Sequence, residues 1–324
     1  MVQSTPQPAY DTKAPAITTT GLTKQYGPTF GRFRTPIDSL RAVDNLNITV
    51  ERNEIFGFLG PNGAGKTTTM RMLLGLVNPT SGSATMLGMD VAHDLASILA
   101  RTGSIIENPT FYPFLSGADN LRLVATISGA PPANVDTMLD LVDLTRDSGR
   151  AFKKYSLGMK QRLAVAASLL ASPDLLILDE PANGLDPAGI VDMRNLMKRL
   201  KSEGKTVFIS SHVLAEIEQI CDRIAILDRG RVMAQGKVTD LLQAGTKVRI
   251  VVPNLDQAIE ILSQLGWAND ASAIDGAITV TAPLERSWEL NKALADAGIY
   301  ASEIGPVEAS LEQYFLGVTK GGDA

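Results

Sequence analysis

Cysteine and histidine are almost missing from this 324-residue sequence: Cys221 stands alone, and the two histidines are His93 and His212. One thiol excludes an internal disulfide, and so few soft ligands leave little for a zinc site, which points to a reducing, cytoplasmic setting. Long apolar runs are missing too. No uninterrupted stretch approaches the ~20 residues a membrane-spanning helix needs, and the N-terminal residues show no basic segment followed by an apolar one, so nothing suggests secretion. There is no excess of basic charge. The 30 Lys and Arg against 35 Asp and Glu give a net charge of -5, which disfavours a general nucleic-acid surface, and no nucleic-acid partner is expected. What is present is 44% hydrophobic residues, enough for well-buried cores in one large domain and a smaller one.

Against this background residues 60–68 stand out, reading G-P-N-G-A-G-K-T-T. Gly60, Gly65, Lys66 and Thr67 occupy every fixed position of the phosphate-binding loop G-x-x-x-x-G-K-[ST]; Pro61, Asn62, Gly63 and Ala64 lie between them and Thr68 follows. Glycines leave backbone N–H groups free to turn toward a phosphate chain. The lysine adds a point charge at the outer phosphates, and a hydroxyl can hold magnesium. The setting agrees: a short apolar run, 54–59, suits a buried strand, and 70–76 continues at helical spacing, giving strand, glycine loop and helix in order.

Along the chain, residues 1–16 carry Pro6, Pro8 and Pro15 among polar residues and read as a disordered tail. Strands are expected over 17–26 and 41–50, joined by a long surface loop, 27–40, that contains Arg32 and Arg34. Further strands are expected at 82–87 and 103–107. A mostly helical region, about 108–172, opens on Ser116-x-x-Asp119, a helix-capping signal. Asp174 to Leu178 is an unbroken apolar run suited to the middle of a parallel sheet, and it ends in two carboxylates, Asp179 and Glu180. Asp186-Pro187 reads as a helix start. Strands alternating with helices to about residue 245 indicate an α/β sheet with helices on both faces. Residues 246–324 differ, with 5 basic and 11 acidic residues. They alternate strand, helix, strand, helix and short strand before a terminal helix around 311–315, and the aspartates before Ile278 leave room for one more strand in a split β-α-β arrangement.

These motifs, taken together, resemble the ATP-binding subunits of ABC transporters, in particular the stand-alone subunits that serve ABC-2-type exporters of drugs, bacteriocins or lipids. The resemblance covers about residues 17–245. It implies a P-loop ABC cassette, with a RecA-like core, a helical subdomain and an antiparallel β part, followed by a small ferredoxin-like α+β domain. It also implies ATP and Mg2+ as cofactors. Lys66 would contact the outer phosphates, and Thr67, Asp179 and Glu107 would attend the metal. Glu180 would be the general base and His212 the sensor of the γ-phosphate, while Tyr26 would stack on adenine. Tyr155-Ser156-Leu157-Gly158-Met159 aligns with the family's L-S-G-G-Q signature, matching at Ser156 and Gly158, which would close the site of a second subunit. Gly184, Leu185 and Asp186 would touch across the dimer, which the resemblance implies is a homodimer.

The resemblance further implies membrane permease partners, with Phe111, Tyr112 and Phe114 lining a permease groove, Arg32 and Arg34 reaching permease or anionic lipid, and a place on the inner face of the membrane. The clearest departure is Glu107, where the family usually has glutamine. A non-transport ABC ATPase with a regulatory C-terminal domain is the alternative; such proteins usually carry two cassettes or long coiled coils, and this chain has one phosphate loop and no heptad run.

Overall fold

A computed structural model describes residues 13–27, 40–107, 110–243, 247–274, 276–306 and 311. Most of the expected tail, the loop containing Arg32 and Arg34, and the helix expected after Leu311 therefore lie outside the described residues. The chain forms two compact units, Met1–Gly236 and Lys237–Ala324.

In chain order the first unit runs β1 (Ile17–Tyr26), β2 (Leu40–Leu46), β3 (Thr49–Val50), β4 (Ile55–Leu59), α1 (Lys66–Leu73), β5 (Ser81–Met86), β6 (Met89–Asp90), α2 (Leu95–Leu99) and β7 (Thr102–Ile105). It continues with α3 (Gly117–Ser128), α4 (Asn134–Leu141), α5 (Leu157–Leu169), β8 (Leu175–Asp179), α6 (Pro187–Ser202), β9 (Thr206–Ser211), α7 (Leu214–Glu218), β10 (Arg223–Asp228) and β11 (Arg231–Lys237).

Two sheets share this unit. One has strand order β11-β10-β4-β9-β8-β7; the pairs β10/β4, β4/β9, β9/β8 and β8/β7 are parallel. All of β4 and the first four residues of β8 are buried, as befits parallel strands covered on both faces. The other sheet, β2-β1-β5-β6 with β3 also on β1, is antiparallel. The run expected as one strand over 41–50 divides into β2 and β3, because Asn47 turns its side chain to the Gly21 N–H at 2.8 Å and the Asn45 carbonyl at 2.7 Å instead of continuing the ladder. One apolar cluster joins the sheets through α1: Ile17, Val43 and Val50 pack with Phe56, Phe58, Met70, Leu73, Ile177 and Phe208. The phosphate loop is thereby anchored at both ends in a common core.

The helices α3, α4 and α5 form the helical region. Its entry is fixed by Ser116, whose Oγ accepts the Asp119 N–H at 3.0 Å while its own hydroxyl donates to the Asp119 carboxylate at 2.6 Å.

The second unit comprises α8 (Val238–Gln243), β12 (Lys247–Val251), α9 (Leu255–Ser263), β13 (Asn269–Ile274), β14 (Ala277–Thr281), α10 (Ser287–Asp296) and β15 (Glu303–Pro306). The sheet order β13-β14-β12-β15 is antiparallel throughout. With helices after its first and third strands, this is the split β-α-β, ferredoxin-like arrangement. It has its own core, in which Val248, Ile250, Ile278 and Val280 meet Ala258, Leu262, Leu290 and Leu294. The additional strand foreseen before Ile278 is β13. Its residues are mostly exposed, so it lacks the apolar pattern that marks a buried strand.

Candidate functional site

The phosphate loop turns between β4 and α1. Gly65 has φ of +101°, and a Cβ there would lie 2.4 Å from the Ala42 carbonyl oxygen, so only glycine fits. At Gly60 a Cβ would meet the Leu227 carbonyl oxygen, also at 2.4 Å. Lys66 is 5% exposed. Its ammonium donates to the loop's own carbonyls, Gly60 O at 2.7 Å and Pro61 O at 3.3 Å. Gly65 is the N-cap of α1, so the free N–H groups of that helix end, with their partial positive charge, border the loop.

The ends of β8 and β9 bring the second half of the site to this loop. Thr67 Oγ donates to Asp179 Oδ2 at 2.7 Å. The Ser210 hydroxyl donates to Asp179 Oδ1, and Ser210 Oγ in turn accepts the Glu180 N–H at 2.9 Å. Glu180 is held with φ of +48°, a left-handed conformation that costs a non-glycine residue about 1 kcal/mol or more. One of its carboxylate oxygens lies 3.4 Å from Lys66 Nζ, and the other lies 2.7 Å from His212 Nδ1. The general base and the switch histidine expected from sequence are therefore in direct contact, with the lysine on the other side of the same carboxylate.

Thr67, Asp179 and Glu180 line an open polar cleft of about 250 Å³ with Glu107, Gln161 and Asn183. Glu107 stands just beyond β7 with φ of +65°, and its carboxylate pairs with Arg71 of α1. Among the described residues no group of three or more His, Cys, Asp and Glu side chains is arranged to hold a metal. The donor set is one hydroxyl plus carboxylates, hard oxygen ligands that suit Mg2+, which keeps several waters and takes few protein ligands.

Behind Glu180 and His212 lies a second cavity between α6, β9 and α7, bordered by Arg194 and Glu216. Burial raises the carboxyl pKa of Glu216 above its ordinary value, against the opposing pull of His212 and Arg194.

Other expected site residues lie elsewhere. Tyr26 ends β1, 43% exposed, with Lys24 Nζ 5.1 Å from its ring centre. Ser156 caps α5, accepting the Met159 N–H at 3.3 Å. Among the described residues no hydrogen bond or ion pair joins Ser156 or Gly158 to the phosphate loop of the same chain. The signature instead touches the segment expected to make dimer contacts: Leu157 packs so close to Gly184 that a Cβ there would lie 2.9 Å from it, and Leu185 lies beside Gly158. Asp186 caps α6 through the Gly189 N–H at 3.0 Å. Of the aromatic trio, Phe111 turns inward onto Phe152, with ring centres 5.1 Å apart, while Tyr112 and Phe114 are 61% and 77% exposed.

Sequence reasoning passed over Ser210, Gln161 and Arg71. Ser210 is fully buried, and its signal is a hydroxyl near the end of β9, directly opposite Asp179 in the β8/β9 pairing. Gln161 had a weaker signal, as a polar residue three places past Gly158 on a helix otherwise rich in apolar residues.

The family model for ABC transporters matches residues 43–183. The bacitracin transport ATP-binding protein of Bacillus licheniformis is 42% identical over 310 residues, covering 94% of this chain and 98% of that protein. A lantibiotic transport ATP-binding protein of Streptococcus pyogenes is 44% identical over 193 residues, 60% of this chain and 83% of that one. Among solved structures, an ATP-binding subunit of an ABC transporter superposes with a TM-score of 0.60 at 30% identity, covering 70% of this chain and 91% of that chain. The phosphate loop, the strand-end carboxylates and these relatives agree: the chain belongs to the ABC transporter ATP-binding family and is an ATPase.

Proposed function

We propose that this chain is the ATP-hydrolysing motor of an ABC-2-type exporter, working as a dimer on the cytoplasmic side of a membrane permease. The observation that carries the reading is one cleft lined by Thr67, Asp179 and Glu180, with Lys66 and His212 both in contact with the Glu180 carboxylate. The match along nearly the whole chain to a bacitracin transport ATP-binding protein supports the exporter assignment.

Residues 60–68 and the start of α1 bind the phosphates of ATP, Lys66 adds charge at the outer ones, and the ring of Tyr26 stacks on the adenine. Thr67 and Asp179, with Glu107 at the mouth of the cleft, would hold Mg2+, which would supply charge neutralisation on the phosphates. Glu180 accepts a hydrogen bond from the attacking water and orients it in line with the γ-phosphate. His212 fixes the carboxylate that does so and senses the phosphate. Catalysis here is mostly positioning, and the Ser210 bridge between Asp179 and the Glu180 backbone is part of it.

Ser156, at the N-terminus of α5, offers free N–H groups to an anion. In a dimer it and Gly158 close the site of the opposite subunit, and Gly184, Leu185 and Asp186 lie at the contact. Leu157, which departs from the usual signature, joins these two segments within one chain. The second unit, set apart by its own core, serves as an accessory domain. Tyr112 and Phe114, exposed on the helical region, supply apolar surface to the permease.

The test is reconstitution of the chain with its permease in vesicles. ATP-dependent efflux that is lost in Glu180→Gln supports the reading. Co-purification with ribosomes or DNA in place of a membrane protein overturns it in favour of a non-transport ATPase.

A further inference from the structure

Each carboxylate in the cleft has its own partner. Asp179 is met by the hydroxyls of Thr67 and Ser210, and Glu180 by Lys66 and His212. Glu107, the third, is met by Arg71. Arg71 lies on α1 four residues after Thr67, so both side chains leave the helix on the same face, one turn apart. Glu107 sits just past β7 in a left-handed backbone conformation and lines the same cleft as Thr67. Arg71 is 37% and Glu107 64% exposed, so the pair is at the mouth of the cleft, where water and ions compete with it.

We propose that Arg71 is the positioning residue that allows a glutamate to stand at position 107. It holds that carboxylate at the mouth of the cleft, and the divalent cation bound with ATP competes with Arg71 for it. A glutamine at this position would need no such partner, being uncharged. A glutamate without one would add an unneutralised carboxylate to a cleft that already holds Asp179 and draw the cation too tightly. This inference rests on the assignment of the cleft as the site of metal-bound ATP.

A double-mutant cycle with Mn2+ as the probe tests it. The full chain is titrated with Mn2+ in the presence of a non-hydrolysable ATP analogue, and bound metal is read by electron paramagnetic resonance. Arg71→Gln should lower the half-saturating Mn2+ concentration about twofold to fivefold, the range that a partly exposed ion pair supports. In the Glu107→Gln background the same change should leave it within about 1.5-fold, because the carboxylate that Arg71 restrains is gone. Arg71→Lys, which keeps the charge, should stay near the parent and guards against a folding defect in Arg71→Gln. Equal effects of Arg71→Gln in both backgrounds, or none in either, would overturn the inference while leaving the ATPase assignment intact. If the parent chain binds neither Mn2+ nor the analogue, both fall together.

Discussion

Ser210 shows how much of this site depends on one small side chain. Its hydroxyl donates to Asp179 and accepts from the Glu180 backbone, so it ties the Asp179 carboxylate to the main chain that carries Glu180. Ser210→Ala should leave Asp179 short of a donor and a buried N–H short of an acceptor, costing about 1–3 kcal/mol of stability. It should also lower kcat about tenfold with little change in ATP affinity, since the base loses its fixed position and the phosphate loop does not. Steady-state kinetics beside a nucleotide-binding titration would check this, and an unchanged kcat would mean that the bridge is idle.

Glu54 gives a pH test of the same unit. Burial raises its pKa above the ordinary carboxylate value, only partly offset by the Glu51 N–H and by Arg223, 3.3 Å away. A raised folded pKa means that the folded state holds the proton more tightly. The contribution is therefore complete below the unfolded value and is lost as pH rises through the folded one. Denaturation midpoints of the parent chain, relative to Glu54→Gln, should fall as pH rises from the ordinary carboxylate range through the raised folded value. A constant difference across that window would exclude the effect.

At the scale of elements, capping decides where the helical region begins. Ser116→Ala removes both halves of the Ser116–Asp119 box and should cost about 1 kcal/mol in thermal or urea unfolding. Basal ATPase should be untouched, because neither Ser116 nor Asp119 lines the cleft that holds the carboxylates.

Legibility follows the same physics. The capping box, β8 and the phosphate loop were readable because each carries a local signal: a fixed spacing, an unbroken apolar run, or glycines that no other residue can replace. The strand β13 gave almost none, since five of its six residues face solvent and its place is set by pairing with β14. Periodicity over 41–50 shows a single strand, since the side-chain hydrogen bond at Asn47 that interrupts it leaves no periodic signal. In the site, residues named by motif were legible and their supporting partners were not. Arg71 and Ser210 are ordinary in sequence and gain their role only when α1, β7, β8 and β9 come together.

For the whole molecule, two separate cores, one around Phe56 and Phe208 and one around Ile250 and Leu262, predict two unfolding events. Calorimetry should show ATP with Mg2+ raising one of them, by about 2.7 kcal/mol at a hundredfold excess over Kd. Leu262→Ala should lower the other by about 2–5 kcal/mol. One transition moved by both would show that the units unfold as a single body.

One chain's site should be half of a shared one, completed by Ser156 and Gly158 of a second copy. Glu180→Gln should bind ATP without hydrolysing it, and its molar mass, measured by light scattering with and without ATP and Mg2+, reads the pairing of two chains. The mass should shift from that of one chain to that of two on adding ATP, and the shift should be abolished when Ser156→Arg is added. A monomer at saturating ATP, or a dimer indifferent to Ser156, would contradict it.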